Sequence, residues 1–175
     1  MTHRIAALAA LGVFAIAAGP ASAATPKQNT ITAVGGMKVK ANAYVQDAQR
    51  WDADTYTVKS GATVTLRDKS TEGQPHTLSL IKSLPKTPAQ IMGCRACGPL
   101  MAGHEVDMMS GNVGKPLIEA GATGFQTAGD ESAAGDSIYL PAKGKVTFKV
   151  TARKGTRLSF VCSVHPWMVG QIKVT

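Results

Sequence analysis

An all-β fold is predicted by three features of this 175-residue chain. Apolar and polar residues alternate in short runs towards both ends, glycine- and serine-containing turns separate the runs, and neither end carries an apolar stripe at helical spacing. The first run, Met37 to Tyr44, sets Met37, Val39 and Ala41 against Lys38, Lys40 and Asn42. A period of two places these sets on opposite faces, as in a half-buried strand. Thr55 to Lys59 and Ala62 to Arg67 flank Ser60-Gly61, a turn pair, and Thr77 to Ile81 alternates again. Near the C-terminus, Lys145 to Thr151 puts Val146, Phe148 and Val150 on one face. A turn follows at Arg153-Lys154-Gly155, then strands from Arg157 to Val161 and from Gly170 to Thr175.

The middle differs. Lys82 to Ser137 holds nine of the 18 glycines and one aromatic residue, Phe125. Such a stretch cannot build its own core, so residues 82–137 read as a long insertion before the C-terminal strands, ordered around Cys94 and Cys97 and loose from Ser110 to Gly135. The two β-rich halves then form a single domain over residues 24–175.

The first 23 residues read as a secretory signal. His3 and Arg4 precede the apolar stretch Ile5 to Ala18, Gly19-Pro20 breaks it, and Ala21-Ser22-Ala23 has the small-x-small form of a cleavage site. An apolar stretch of this length is short for a membrane span, so cleavage, a periplasmic or extracellular location and no remaining span are expected. Cleavage removes Arg4 and lowers the formal charge from +8 to +7. Aromatic residues make up only 5% of the chain and its basic residues are dispersed, which argues against nucleic-acid binding.

Export permits disulfides, and Cys94 and Cys97 are near enough in sequence to pair, leaving Cys162 alone. Cys162 opens Cys162-Ser163-Val164-His165-Pro166-Trp167-Met168, which places a thiolate, an imidazole and a thioether within seven residues at a strand end. Soft sulfur beside imidazole selects copper or zinc over hard cations, and two His, one Cys and a weak axial Met make a blue-copper site. His76, in Gln74-Pro75-His76-Thr77 at a strand start, can supply the second imidazole.

At these residues the chain resembles the cupredoxin family of small Greek-key β-sandwich copper proteins. The resemblance lies in Tyr56 to Leu66 running on to Pro75-His76-Thr77, and in Leu158 to Cys162 with His165, Met168, Gly170 and Ile172-Lys173-Val174. It implies His76, Cys162 and His165 as strong ligands and Met168 as the axial one, holding one copper per chain, Cu(I) or Cu(II). It also implies that His165 is an electron port reaching the surface, with Pro166 and Trp167 as patch residues. Asp68, with Ser70 nearby, stands where the family often has Asn, and the insertion is longer than small cupredoxins carry.

The resemblance implies a one-electron carrier, not an enzyme. Its expected partners are redox proteins, a cytochrome or an oxidoreductase. Lys38, Lys40, Lys143, Lys145, Lys149, Arg153, Lys154 and Arg157 would steer an acidic partner.

Cys94-Arg95-Ala96-Cys97 admits a structural disulfide or, with His104 and Met92, Met101, Met108 or Met109, a second metal site. Haem attachment is excluded because Gly98, not His, follows Cys97. The alternative function is accordingly an extracytoplasmic copper-delivery protein using that second site.

Overall fold

The computed structural model describes residues 29–107, 109–121 and 124–175; the signal segment and Met108 lie outside them. In chain order the first strands are β1 (Thr30–Val34), β2 (Met37–Lys40), β3 (Tyr44–Asp47), β4 (Arg50–Trp51), β5 (Thr55–Val58), β6 (Thr63–Asp68) and β7 (His76–Ile81). The insertion contributes α1 (Pro88–Met92), α2 (Cys97–Gly103) and β8 (Leu117–Ile118). There follow β9 (Ser137–Leu140), β10 (Lys145–Lys149), β11 (Arg157–Val161) and β12 (Val169–Val174).

Two sheets pack face to face, one in the order β10-β6-β1-β4 and the other β5-β12-β11-β7-β9-β8. Alternate residues of both point inward: Ile31, Val64, Leu66 and Phe148 from the first meet Tyr56, Leu78, Leu80, Leu158, Phe160 and Ile172 from the second in one core. This is the expected all-β sandwich. Gly170 lies opposite Phe160 in the β11–β12 register, and a Cβ there would fall 2.5 Å from the ring, so only glycine lets the ring lie flat across β12.

Three local expectations are corrected. Met37 to Tyr44 is not one half-buried strand: the chain turns after Lys40 with Asn42 at φ 58°, and β2 and β3 pair as a separate two-stranded ribbon, exposed on both faces. Alternation alone cannot show that an amphipathic strand has found a sheet to lie on. Secondly, β7 is buried at every position rather than alternating, because the sandwich core covers one face and the insertion covers the other. There Leu100 packs with Ile81 and Val161 in a second, smaller cluster.

Thirdly, the Ser110–Gly135 segment is tied down where it is described. Phe125 is buried in the main core against Phe148, with ring centroids 4.7 Å apart. The buried Asp136 carboxylate gathers the backbone N–H groups of Ala120, Gln126 and Thr127 at 2.6, 2.8 and 2.5 Å. A charged acceptor with three amide donors is well satisfied, and it anchors a loop that has few apolar side chains of its own.

Candidate metal centre

At one end of the sandwich, β7 begins and β11 ends side by side. Antiparallel pairing of Val161 with Ser79, continued past the end of β11, brings Ser163 opposite Thr77. His76 is the first residue of β7 and Cys162 follows β11, so the pairing that makes the sheet also brings imidazole and thiol together. The loop after Cys162 closes on itself: Cys162 N–H donates to Met168 O at 2.9 Å and Met168 N–H to His165 O at 2.8 Å. Trp51 Nε1–H donates to the same Met168 carbonyl at 3.1 Å, fastening the loop to β4.

Both imidazoles present Nδ1 to the sulfur. Cys162 Sγ lies 3.9 Å from His76 Nδ1 and 3.7 Å from His165 Nδ1, and one ligand atom from each residue falls within 4.8 Å of the other two. Among the described residues this is the one group of three or more His, Cys, Asp or Glu placed to hold a metal ion. All three residues are buried, as is Met168 in the same loop.

The far nitrogens decide the tautomers. His76 Nε2 lies 3.2 Å from Ser70 Oγ and 3.5 Å from Asp68 Oδ1. The Asp68 carboxylate can only accept and the Ser70 hydroxyl can accept as well, so this side of the ring favours a proton on Nε2, which leaves Nδ1 free to face the sulfur. Asp68 in turn accepts from Ser70 N–H and Lys143 N–H, both at 2.7 Å. Burial alone would raise the Asp68 carboxyl, but these hydrogen bonds outweigh it and hold the group below its ordinary value. Asp68 and Ser70 thus do the orienting at the position where the sequence departs from Asn.

His165 Nε2 is 2.6 Å from Gln74 Oε1, again an acceptor only, so its Nδ1 also faces the sulfur unprotonated. Gln49 approaches the same nitrogen with its amide nitrogen at 3.2 Å, a contact and not a hydrogen bond once Nε2 is protonated, and its Oε1 is the one buried side-chain oxygen or nitrogen without a partner among the described residues. Burial pushes both imidazoles below the ordinary value. For His165 the neighbouring His76 adds to this and the value falls to about 4; for His76 the Asp68 charge partly offsets it. Burial raises the Cys162 thiol against the N–H bond from Thr77 at 3.3 Å. A buried thiol beside two bare imidazole nitrogens fits a soft metal ion, which would replace the thiol proton.

His165, expected as a surface port, is covered by its neighbour in the loop. Its ring is 3% exposed, whereas Trp167 is 39% exposed and stands edge-on to it with centroids 5.3 Å apart. Of the two readings of the Cys94, Cys97 and His104 segment, disulfide or second metal site, the disulfide is the one the structure contains. His104 is buried with Nδ1 on Lys115 O and Nε2 on Ser137 Oγ, so both ring nitrogens are engaged. Met92 and Met109 are exposed, while Met101 Sδ accepts from Ser163 Oγ at 3.1 Å.

Sequence reasoning missed Gln49, Gln74, Trp51 and Thr77. Gln74 could have been found, since it stands two residues before His76 in Gln74-Pro75-His76; Gln49 is far away in sequence and has no local signal.

No protein-family model matches the chain, and no curated protein matches it. Among solved structures it is similar to a dithionite-reduced auracyanin from the photosynthetic bacterium Roseiflexus castenholzii, at 18% identity and TM-score 0.43, over 85% of this chain and 98% of that one. It is also similar to a purple cupredoxin from Nitrosopumilus maritimus, at 17% identity and TM-score 0.41, over 83% and 98%. A third is auracyanin A, a blue copper protein from Chloroflexus aurantiacus, at 17% identity and TM-score 0.42, over 85% and 99%.

Proposed function

We propose that this protein is an exported one-electron carrier of the cupredoxin kind, holding a single copper ion by His76, Cys162 and His165 with Met168 as the axial donor. The observation that carries this reading is the convergence of His76 Nδ1 and His165 Nδ1 on Cys162 Sγ, with both far nitrogens already occupied. Bound copper supplies a couple between Cu(I) and Cu(II). The chain's own residues hold the donors still: Asp68 and Ser70 pin one imidazole, Gln74 pins the other, and the Thr77 amide points at the sulfur. Because the donors are fixed and buried, loss or gain of an electron requires little movement of ligands or water.

The route outward is Trp167, which covers His165 and is partly exposed. The dispersed lysines and arginines would steer an acidic redox protein to the molecule, an effect that fades with salt. The rival reading, copper delivery through a second soft site, loses two of its donors to the Cys94–Cys97 disulfide.

The test is the visible absorption and electron paramagnetic resonance of the exported protein loaded with Cu(II), beside Cys162→Ala. An intense thiolate-to-copper band that vanishes in the variant is expected. A colourless protein, or a spectrum indifferent to Cys162, would overturn the proposal.

A further inference from the structure

His104 is buried and far in sequence from the metal centre, yet it is linked to it by an unbroken run of buried hydroxyls. His104 Nε2 lies 2.7 Å from Ser137 Oγ, Ser137 Oγ 2.6 Å from Ser79 Oγ, and Ser79 Oγ 2.9 Å from Thr77 Oγ1. Thr77 Oγ1 lies 2.9 Å from Ser163 Oγ, whose hydroxyl donates to Met101 Sδ at 3.1 Å, and it also accepts Ser163 N–H at 2.7 Å. At the other end, His104 Nδ1 is 2.6 Å from Lys115 O. The run passes beneath the insertion and ends on Thr77 and Ser163, the residues adjoining His76 and Cys162. The Thr77 N–H is one of the donors to the Cys162 sulfur, at 3.3 Å.

Each hydroxyl has one proton to give, and that settles the directions. Lys115 O only accepts, so Nδ1–H is spent there. Ser79 donates to Thr77 and Ser163 donates to Met101, which leaves Thr77 to donate to Ser163 and Ser137 to donate to Ser79. The link from Ser137 to His104 Nε2 then needs its proton from the ring. A doubly protonated His104 fills every link. A neutral ring leaves one link empty or forces the hydroxyls to turn round and donate towards His104, at the expense of the weak bond to Met101 sulfur. Burial of the ring opposes the second proton and outweighs the bond to Lys115 O, so the His104 ring is held below its ordinary value and the fully linked state belongs to acid pH. None of the other titratable groups near the ring is hydrogen-bonded to it. Tyr139 of β9 meets it edge-on at 5.9 Å between centroids, the Lys115 ammonium is paired with Glu105 at 2.6 Å, and the Asp136 carboxylate, beside Ser137, is taken up by three amides. Cys97 of α2 is in its disulfide.

We infer that His104 is a positioning residue for the Cys162 sulfur: the protons on its ring set the direction in which Ser137, Ser79, Thr77 and Ser163 donate, and so link the insertion to the amide donor that holds the thiolate. The inference rests on the copper reading for its consequence at the metal, but the proton chain itself can be measured without metal.

The test is nuclear magnetic resonance of the metal-free full chain, comparing wild type, Ser79→Ala, His104→Gln and the double variant. Ser79→Ala removes the middle link and, with it, the demand for a second ring proton. The pH midpoint of the His104 ring nitrogens should therefore fall by about half a pH unit, the equivalent of one ordinary hydrogen bond. His104→Gln should shift the Thr77 and Ser163 amide protons when Ser79 is present and leave them in place when it is Ala. An unchanged midpoint, or amide shifts equal in both backgrounds, overturns the inference. Should His104→Gln fail to fold, Ser137→Ala takes its place in the same cycle. After copper loading, His104→Gln should displace the thiolate-to-copper band; absence of any such band in wild type defeats the copper reading and leaves the metal-free result standing.

Discussion

Gln74 Oε1 stands 2.6 Å from His165 Nε2, so an amide oxygen placed two residues before one proposed imidazole ligand bears on the tautomer of the other. Removing it should loosen the ring that the loop presents. Gln74→Ala is expected to weaken metal binding by about 10- to 100-fold, the usual cost of losing a partner that orients a ligand histidine. A competition titration against a copper chelator measures this, and an unchanged affinity would assign Gln74 to packing alone.

Metal binding should release about one proton per ion at neutral pH, because a ligand thiol must lose its proton when it coordinates. Burial holds the Cys162 thiol protonated, whereas both imidazoles are already neutral, His165 down to about 4. The sign follows: affinity rises with pH through the neutral range on account of the thiol, and the histidines weaken binding only in acid. Calorimetry in buffers of different ionisation enthalpy counts the proton. Release of none, or of two or more, would contradict this assignment.

The Cys94–Cys97 disulfide closes a very short loop in the insertion, away from the four proposed ligands. By chain entropy such a closure contributes about 2 kcal/mol at most. The Cys94→Ser, Cys97→Ser double variant should therefore lose no more than about that much stability, keep its copper spectrum and still bind one ion per chain. Chemical denaturation and metal analysis check the two halves of this statement.

Phe125 carries the insertion into the main core, where it lies against Phe148. Phe125→Ala should cost about 3–5 kcal/mol in urea unfolding, as for other buried aromatics. A loss below about 1 kcal/mol would mean that Phe125 is not an anchor and that the insertion is held by its other contacts, the Asp136 amide cluster and Leu100 among them.

Much of this was legible beforehand, for physical reasons that differ by element. The strands around Tyr56, Leu66, Phe148 and Leu158 could be read because a period of two survives wherever one face is solvated. β7 lost its alternation once Leu100 covered its outer face, and β2 and β3 pair with each other outside both sheets and stay largely exposed. The ligand loop was legible because Cys162, His165 and Met168 lie in one short segment, where spacing is itself geometry.

By itself the sequence determined the all-β pattern, the four candidate ligands and the C-x-x-C pair, since each depends on residue type and short-range spacing. The tertiary structure decided which imidazole nitrogen faces the sulfur, that Gln49 and Gln74 cover His165, that Trp167 rather than His165 meets solvent, and that Thr77, Ser79, Ser137 and His104 form one chain. These are relations between side chains many residues apart. Hydrogen bonds act over about 3 Å, and only the packing of two sheets and an insertion brings such groups within that reach.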